Sequence, residues 1–191
     1  HMEHISGGVC AAKGFQAGGI HCGIRKNRGK RDISMIVSEV PASAAAVYTS
    51  NLVKGAPIYV TQRNLAGGIA QLAVCNSGNA NTCNADGIEI AEETCELLAK
   101  ELGIAPEDVI VASTGVIGQR LPVDKVLQGI REIIPGKLAK ENGSEAAYAI
   151  MTTDTVRKEC AYELQLSTGT VKIGAMAKGS GMIHPNMATM L

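Results

Sequence analysis

One phenylalanine and no tryptophan occur in this chain of 191 residues, and that shortage restricts its core more than any other feature. Large aromatic rings bury much area per residue and fill wide gaps between packed elements. Here 22 glycines, with abundant alanine, valine and isoleucine, must close the interior instead. Side chains this small require thin layers of sheet and helix that approach one another closely. The length suits one domain with a sizeable core. No internal repeat, low-complexity tract or linker divides it, so a single domain over 1–191 is expected.

Other partners are disfavoured on composition. Lysine plus arginine and aspartate plus glutamate number 18 each, for zero formal net charge and an isoelectric point near 7.1. No basic face for nucleic acid follows from that balance, and aromatics at 3% supply no stacking platform for single strands. There is no secretory apolar core and no apolar run near the length of a membrane span, so a cytoplasmic chain without membrane contact is expected. Cys10, Cys22, Cys75, Cys83, Cys95 and Cys160 form no C-x-x-C pair and are expected to be free, mostly buried thiols. No metal site is expected. His21-Cys22 resembles a ligand pair, but neighbours in a strand point to opposite faces, which favours core packing.

The periodicities mix strand and helix, so the class is α/β or α+β. Strands are expected over 20–24, 33–40, 44–50, 69–75 and 109–112, from short β-branched or apolar runs. The first two flank the basic loop Arg25-Lys-Asn-Arg-Gly-Lys-Arg31, read either as a solvated hairpin loop or as a lip that recruits anions. Residues 84–102 are expected to form a helix with Ile88, Ala91, Cys95, Leu98 and Leu102 on its apolar stripe and Gly103 as its stop. A second helix is expected over 122–134, starting at Pro122 and ended by Pro135-Gly136, and a shorter one over 145–151. The runs 162–166 and 170–176 predict a hairpin around Ser167-Thr168-Gly169.

The segment from Lys178 to Leu191 carries the chemistry. Its glycines lead through Pro185 to Ala188-Thr189. A threonine hydroxyl is a weak nucleophile until a base accepts its proton. Cutting the chain before Thr189 would supply that base on the same residue, an α-amine with a reference pKa of about 7.7–8.0. The hydroxyl could make the cut itself by attacking the small, accessible Ala188 carbonyl. Lys178 can pair with a substrate carboxylate, although an isolated lysine is usually just solvated. Thr114-Gly115 follows a buried run and projects from a strand end, either as a turn or as a source of donors. Asp154 orients a neighbour or caps a turn, the cap being preferred. His184 lies four residues before Ala188 and could influence cleavage. The Asn76-Ser77-Gly78-Asn79-Ala80-Asn81 loop lacks a phosphate-loop pattern and reads as structural.

Lys178-Gly179-Ser180-Gly181-Met182-Ile183 and Pro185-Asn186-Met187-Ala188-Thr189-Met190-Leu191 resemble the processing segment of the ornithine acetyltransferase family, also called glutamate N-acetyltransferases, of arginine biosynthesis. Gly7-Gly8-Val9 and Lys13-Gly14-Phe15 are similar to its N-terminal stretch. Asn76 to Asn81 and Ser113-Thr114-Gly115-Val116-Ile117-Gly118 are similar to its central loops, and Thr152-Thr153-Asp154-Thr155 follows in family order. The family precursor is longer, so the resemblance covers its N-terminal, or α, half and leaves the C-terminal β half outside.

The resemblance implies a layered α-β-β-α sandwich like that of N-terminal-nucleophile acyltransferases. It implies cleavage between Ala188 and Thr189, Thr189 as nucleophile, Thr114 and Gly115 as the oxyanion hole, and Thr152, Lys178 and Thr189 as substrate ligands. The implied reaction passes an acetyl group from N2-acetylornithine to glutamate, releasing ornithine, with acetyl-CoA a further acetyl donor in some relatives. No metal or prosthetic group is implied. The partner is the β chain of the same precursor, in an α2β2 heterotetramer. A mature α chain should end at Ala188, yet this one keeps Thr189-Met190-Leu191, as a truncated or uncleaved fragment or one divided elsewhere would. Alone it is expected to be inactive. A self-processing aminopeptidase or amidohydrolase, and an inert half that only binds its β chain, are the alternatives.

Overall fold

The structure, a computed structural model, describes residues 1–180 and 190–191. Two sheets carry the chain. A four-stranded sheet runs in the order β2 (Phe15–Ile20), β3 (Ile33–Ser43), β4 (Ile69–Asn76), β5 (Val109–Ser113). A three-stranded antiparallel sheet is ordered β1 (Met2–His4), β6 (Lys158–Leu166), β7 (Gly169–Ala177). The helices are α1 (Ala56–Asn64), α2 (Gly87–Leu102), α3 (Val123–Gly136) and α4 (Gly143–Ala149). The mixture is α+β, as the sequence predicts.

Strand alternation divides the packing. On β3, Ile33 and Met35 point into the main core, where they meet Val60 of α1, Leu98 of α2, and Ile130 and Ile133 of α3. Burying each such side chain contributes about 1.5–3 kcal/mol. Ser34 and Ile36 face the other way. The Ser34 hydroxyl donates to the Ala146 carbonyl of α4 at 2.9 Å, and Ile36 packs with Cys10, Ala17, Ala146 and Met176 of β7. The layers therefore run from α1–α3 to the four-stranded sheet, then to α4 with the Gly8–Cys10 turn, then to the three-stranded sheet. The close approach expected of small residues occurs here. A Cβ on Gly19 would fall within 2.1 Å of the Glu145 carbonyl oxygen, so β2 admits α4 only because glycine stands there.

The described elements depart from the sequence reading at identifiable places. Residues 20–24 form no strand; β2 ends at Ile20. The cause is Asp32, fully buried, whose carboxylate accepts the N–H groups of Cys22 (2.7 Å), Gly23 (3.2 Å) and Arg25 (2.9 Å) and wraps the segment into a loop. Residues 44–50 are not a strand either. The pairing of β3 with β4 ends at Ser43, past a bulge between Val37 and Ala42 that accommodates Pro41. On α2 the inward residue is Ile90, not Ile88, which is 41% exposed. All six thiols are free, but only Cys10 and Cys95 are buried outright; Cys83 is exposed. Helix α1 and strand β2 had no clear signal in the pattern.

The pairing of β4 with β5 is the parallel one in its sheet. Parallel neighbours need a crossover, which α2 provides, and their carboxyl ends emerge at the same edge. The loops after Asn76 and after Ser113 therefore leave the sheet side by side.

Candidate active site

The loop after β5 is built on the loop after β4. The Thr114 N–H donates to the Asn76 carbonyl at 3.0 Å and the Ala80 N–H to the Val116 carbonyl at 2.8 Å. Asn76 and Asn79 spend their side-chain amides on the carbonyls of Asn79 (2.8 Å) and Gln119 (2.9 Å). The structural reading of the Asn76–Asn81 segment holds: its backbone anchors Thr114 at the Asn76 carbonyl, and its buried amides brace the two loops at Asn79 and Gln119. Gly115 has φ 134°, and a Cβ there would lie 2.5 Å from the Gly78 carbonyl carbon and 2.6 Å from the Asn79 nitrogen. Only glycine satisfies both the left-handed backbone and the contact.

Lys178 follows β7 directly and is 6% exposed. Its ammonium donates to the Thr114 hydroxyl oxygen at 3.1 Å, across 64 positions of sequence. Burial pushes its pKa below the usual lysine range, while the Asp154 carboxylate pushes back. The Lys178 and Leu191 backbones exchange two hydrogen bonds, at 2.9 and 3.3 Å. Beneath them the Cys75 thiol is pushed up to about 12 by burial, so it stays neutral at neutral pH and is not a rival nucleophile.

Thr152 reaches this cluster through Asp154. One Asp154 oxygen accepts the Thr152 N–H at 3.1 Å; the other accepts the Gly179 N–H at 2.8 Å and the Lys158 ammonium at 2.6 Å. Burial acts to raise the Asp154 pKa, but Lys158, Gly179 and Thr152 outweigh it and hold the pKa down to about 2. Asp154 therefore orients neighbours as well as capping its turn. Arg25 donates to the Met151 and Thr152 carbonyls at 2.7 and 3.3 Å, so the basic loop is tied to the Thr152 turn.

An open cavity of about 750 Å³ lies between that loop and the turn, lined by Arg25, Lys30, Arg31, Tyr148, Thr152 and Arg157 among others. The Tyr148 ring has the Arg31 and Arg157 guanidiniums at 5.2 and 4.6 Å. Neither Thr114 nor Lys178 lines the cavity. His21 is half-buried and bonded to the Lys30 carbonyl. Among the described residues no group of His, Cys, Asp or Glu side chains could hold a metal ion, and no helix is long and apolar enough to cross a membrane.

Of the residues singled out in the sequence, Lys178 thus meets Thr114 directly, Gly115 adjoins Thr114 in the chain, and Thr152 is linked to them through its backbone bond to Asp154. Ala188, Thr189 and His184 lie outside the described residues. Asp32 and the full role of Asp154 were missed, since a lone aspartate carries no sequence sign of which backbone it will collect.

Residues 16–191 match the ArgJ family. The chain belongs to that family. It is 53% identical over 192 residues to the arginine biosynthesis bifunctional protein ArgJ of Symbiobacterium thermophilum, covering 100% of this chain and 48% of that protein. It is 48% identical over 189 residues to the protein of the same name from Bacillus subtilis, covering 98% and 45%. The chain spans about half the length of the curated relatives it matches. Two solved structures share its fold. One is the arginine biosynthesis bifunctional protein ArgJ of Bacillus halodurans, with TM-score 0.89 and 42% identity over 100% of this chain and 98% of that one. The other is an ornithine acetyltransferase of Mycobacterium tuberculosis complexed with ornithine, with TM-score 0.85 and 36% identity over 96% and 97%. These ArgJ-family likenesses agree with the family read from the Lys178–Leu191 segment.

Proposed function

We propose that this chain is the α half of an acetyltransferase that carries an acetyl group from N2-acetylornithine to glutamate on Thr189. The observation that carries the reading is the 3.1 Å contact between the Lys178 ammonium and the Thr114 hydroxyl. It joins a candidate substrate ligand to a candidate oxyanion donor at the edge where two parallel strands end. Leu191, two residues after Thr189 in sequence, is paired to the Lys178 backbone. The relative from Mycobacterium tuberculosis, named an ornithine acetyltransferase and complexed with ornithine, supports the substrate class.

In this mechanism the Thr189 hydroxyl first attacks the Ala188 carbonyl; water opens the resulting ester and frees the Thr189 amine. The amine then takes the hydroxyl proton as oxygen attacks the acetyl carbon of N2-acetylornithine. The Thr114 hydroxyl and the Gly115 N–H face the developing oxyanion. The Lys178 ammonium donates to the Thr114 oxygen, which leaves the Thr114 proton available for that anion. An ammonium has three donors, so Lys178 can also bind the substrate α-carboxylate, beside Thr152. Collapse returns the proton to the departing ornithine amine. The glutamate amine then attacks the acetyl ester and regenerates Thr189.

The scheme uses no metal or prosthetic group. Acetyl-CoA would enter as an alternative acetyl donor. The β half of the same precursor completes the pocket in an α2β2 assembly, and a cytoplasmic location goes with this chemistry. Purified full-length precursor, given N2-acetylornithine with and without glutamate, tests the reading. Ornithine release that depends on glutamate, with N-acetylglutamate in equal amount, is expected. Steady release of ornithine and acetate without glutamate would make the protein a hydrolase instead.

A further inference from the structure

Asp154 makes more bonds than its turn requires. A cap needs only the bond from the Thr152 N–H. The remaining oxygen reaches Gly179, 25 positions away, and binds the Lys158 ammonium. The neighbouring Thr153 hydroxyl pairs with the Ser180 hydroxyl. Consecutive residues of the turn thus grip consecutive residues just after Lys178. Asp154 is buried, where an anion persists only if it is paired and hydrogen-bonded.

We infer that Asp154 is a positioning residue for the acetyl-transfer reaction, one that sets the Lys178 ammonium against Thr114 and keeps it charged. The inference rests on the reading of Lys178 and Thr114 given above. Asp154 acts through the backbone first. Its hold on the Gly179 N–H fixes the residue after Lys178, while the exchange with Leu191 fixes Lys178 itself, so the lysine side chain leaves the strand end in one direction. Charge acts second. The groups that bear on Lys178 are the Asp154 carboxylate, the Lys158 ammonium and the Cys75 thiol. Asp154 neutralises Lys158 by direct pairing at 2.6 Å. Without the carboxylate, the Lys158 charge would act on Lys178 without that opposing anion, and the buried Lys178 would lose its proton more readily.

The test uses the full-length precursor, as wild type, Asp154→Asn and Asp154→Glu. Asparagine preserves shape and one acceptor oxygen but removes the charge. Thermal denaturation first shows that each variant is folded. In the cleaved enzyme Asp154→Asn should lower kcat by about 10²-fold, the loss typical of a reacting group displaced by about 1 Å, with smaller changes in KM. Its activity should also decline at lower pH on the alkaline side than wild type. Asp154→Glu, which restores the charge, should return that limb toward its original position. A second readout needs no turnover. Carbon-13-labelled lysine, with the Lys178 signal assigned by its loss in Lys178→Arg, reports the Lys178 titration by NMR, which should move to lower pH in Asp154→Asn. Folded Asp154→Asn with unchanged kcat and unchanged Lys178 titration would overturn the inference. Wild-type precursor that transfers no acetyl group would overturn the function instead, and the NMR titration would still decide whether Asp154 governs Lys178.

Discussion

Thr114 and Gly115 are adjacent yet answer to different physics, so single substitutions separate them. Thr114 is half-buried at a strand end and touches Lys178 through its hydroxyl. Thr114→Ala should leave the fold intact and lower kcat by about 10²–10³, with KM for both substrates nearly unchanged, because the lost donor acts on charge that exists only in the transition state. Steady-state kinetics of the cleaved enzyme check this. Gly115→Ala should instead damage the loop itself, since the new Cβ meets backbone atoms of Gly78 and Asn79 that cannot yield cheaply. A loss of at least about 1–3 kcal/mol is expected, read by denaturant unfolding. Asp154 gives a third residue-level signature. Its pKa is held down to about 2 in the folded chain, against about 3.9 when unfolded. A carboxylate depressed on folding stabilises above its unfolded pKa and loses that contribution as pH falls through the folded value. Stability should therefore fall between about pH 4 and pH 2 by roughly 2 kcal/mol, and Asp154→Asn should flatten that part of the curve.

At the scale of elements, α2 offers a direct comparison. Leu98 is fully buried and Ile88 is 41% exposed. Leu98→Ala should cost about 2–5 kcal/mol and Ile88→Ala no more than about 0.5 kcal/mol, both measured by chemical denaturation. Much of the architecture was legible because α2, α3 and the β6–β7 hairpin each follow a single periodicity. Ile88 was misplaced because a stripe drawn at three- and four-residue steps can begin on either side of Ile90. Strand β2 was hidden by Gly18-Gly19, which carry no apolar signal although the end of α3, at Ile133 and Lys137, packs against Gly18 and α4 packs against Gly19. Helix α1 was hidden because half of its buried face is polar: beside Pro57 and Val60, Thr61 bonds the Val111 carbonyl at 2.7 Å and Asn64 the Val109 carbonyl at 2.9 Å. Such a face covers the exposed edge of β5 and leaves no apolar stripe to read. The site divides in the same way. Thr114, Gly115, Thr152 and Lys178 stood out as parts of motifs, whereas the contact between Lys178 and Thr114 depends on where β5 and β7 end. Asp32 and Asp154 act through backbone N–H groups, which sequence does not label.

At the scale of the molecule, one stretch without regular structure exposes three large apolar side chains close together in sequence. Val47, Leu52 and Val53 are 76%, 93% and 64% exposed in the stretch between β3 and α1. If the β half covers this stretch, amide hydrogen exchange around Leu52 and Val53 should be slow in the full-length protein and fast in the 191-residue chain alone. Equal exchange in both would place the β half elsewhere. The same isolated chain should release no ornithine from N2-acetylornithine, since the proposed pocket is then incomplete. The central claim is that Thr189 carries the acetyl group between two amino acids. Its most direct test is the mass of the C-terminal chain of the processed enzyme after N2-acetylornithine is added without glutamate. One acetyl group should be present, mapped to an N-terminal Thr189 and discharged by glutamate. Turnover with Thr189 unacetylated, or a new N-terminus at any other residue, would contradict the account.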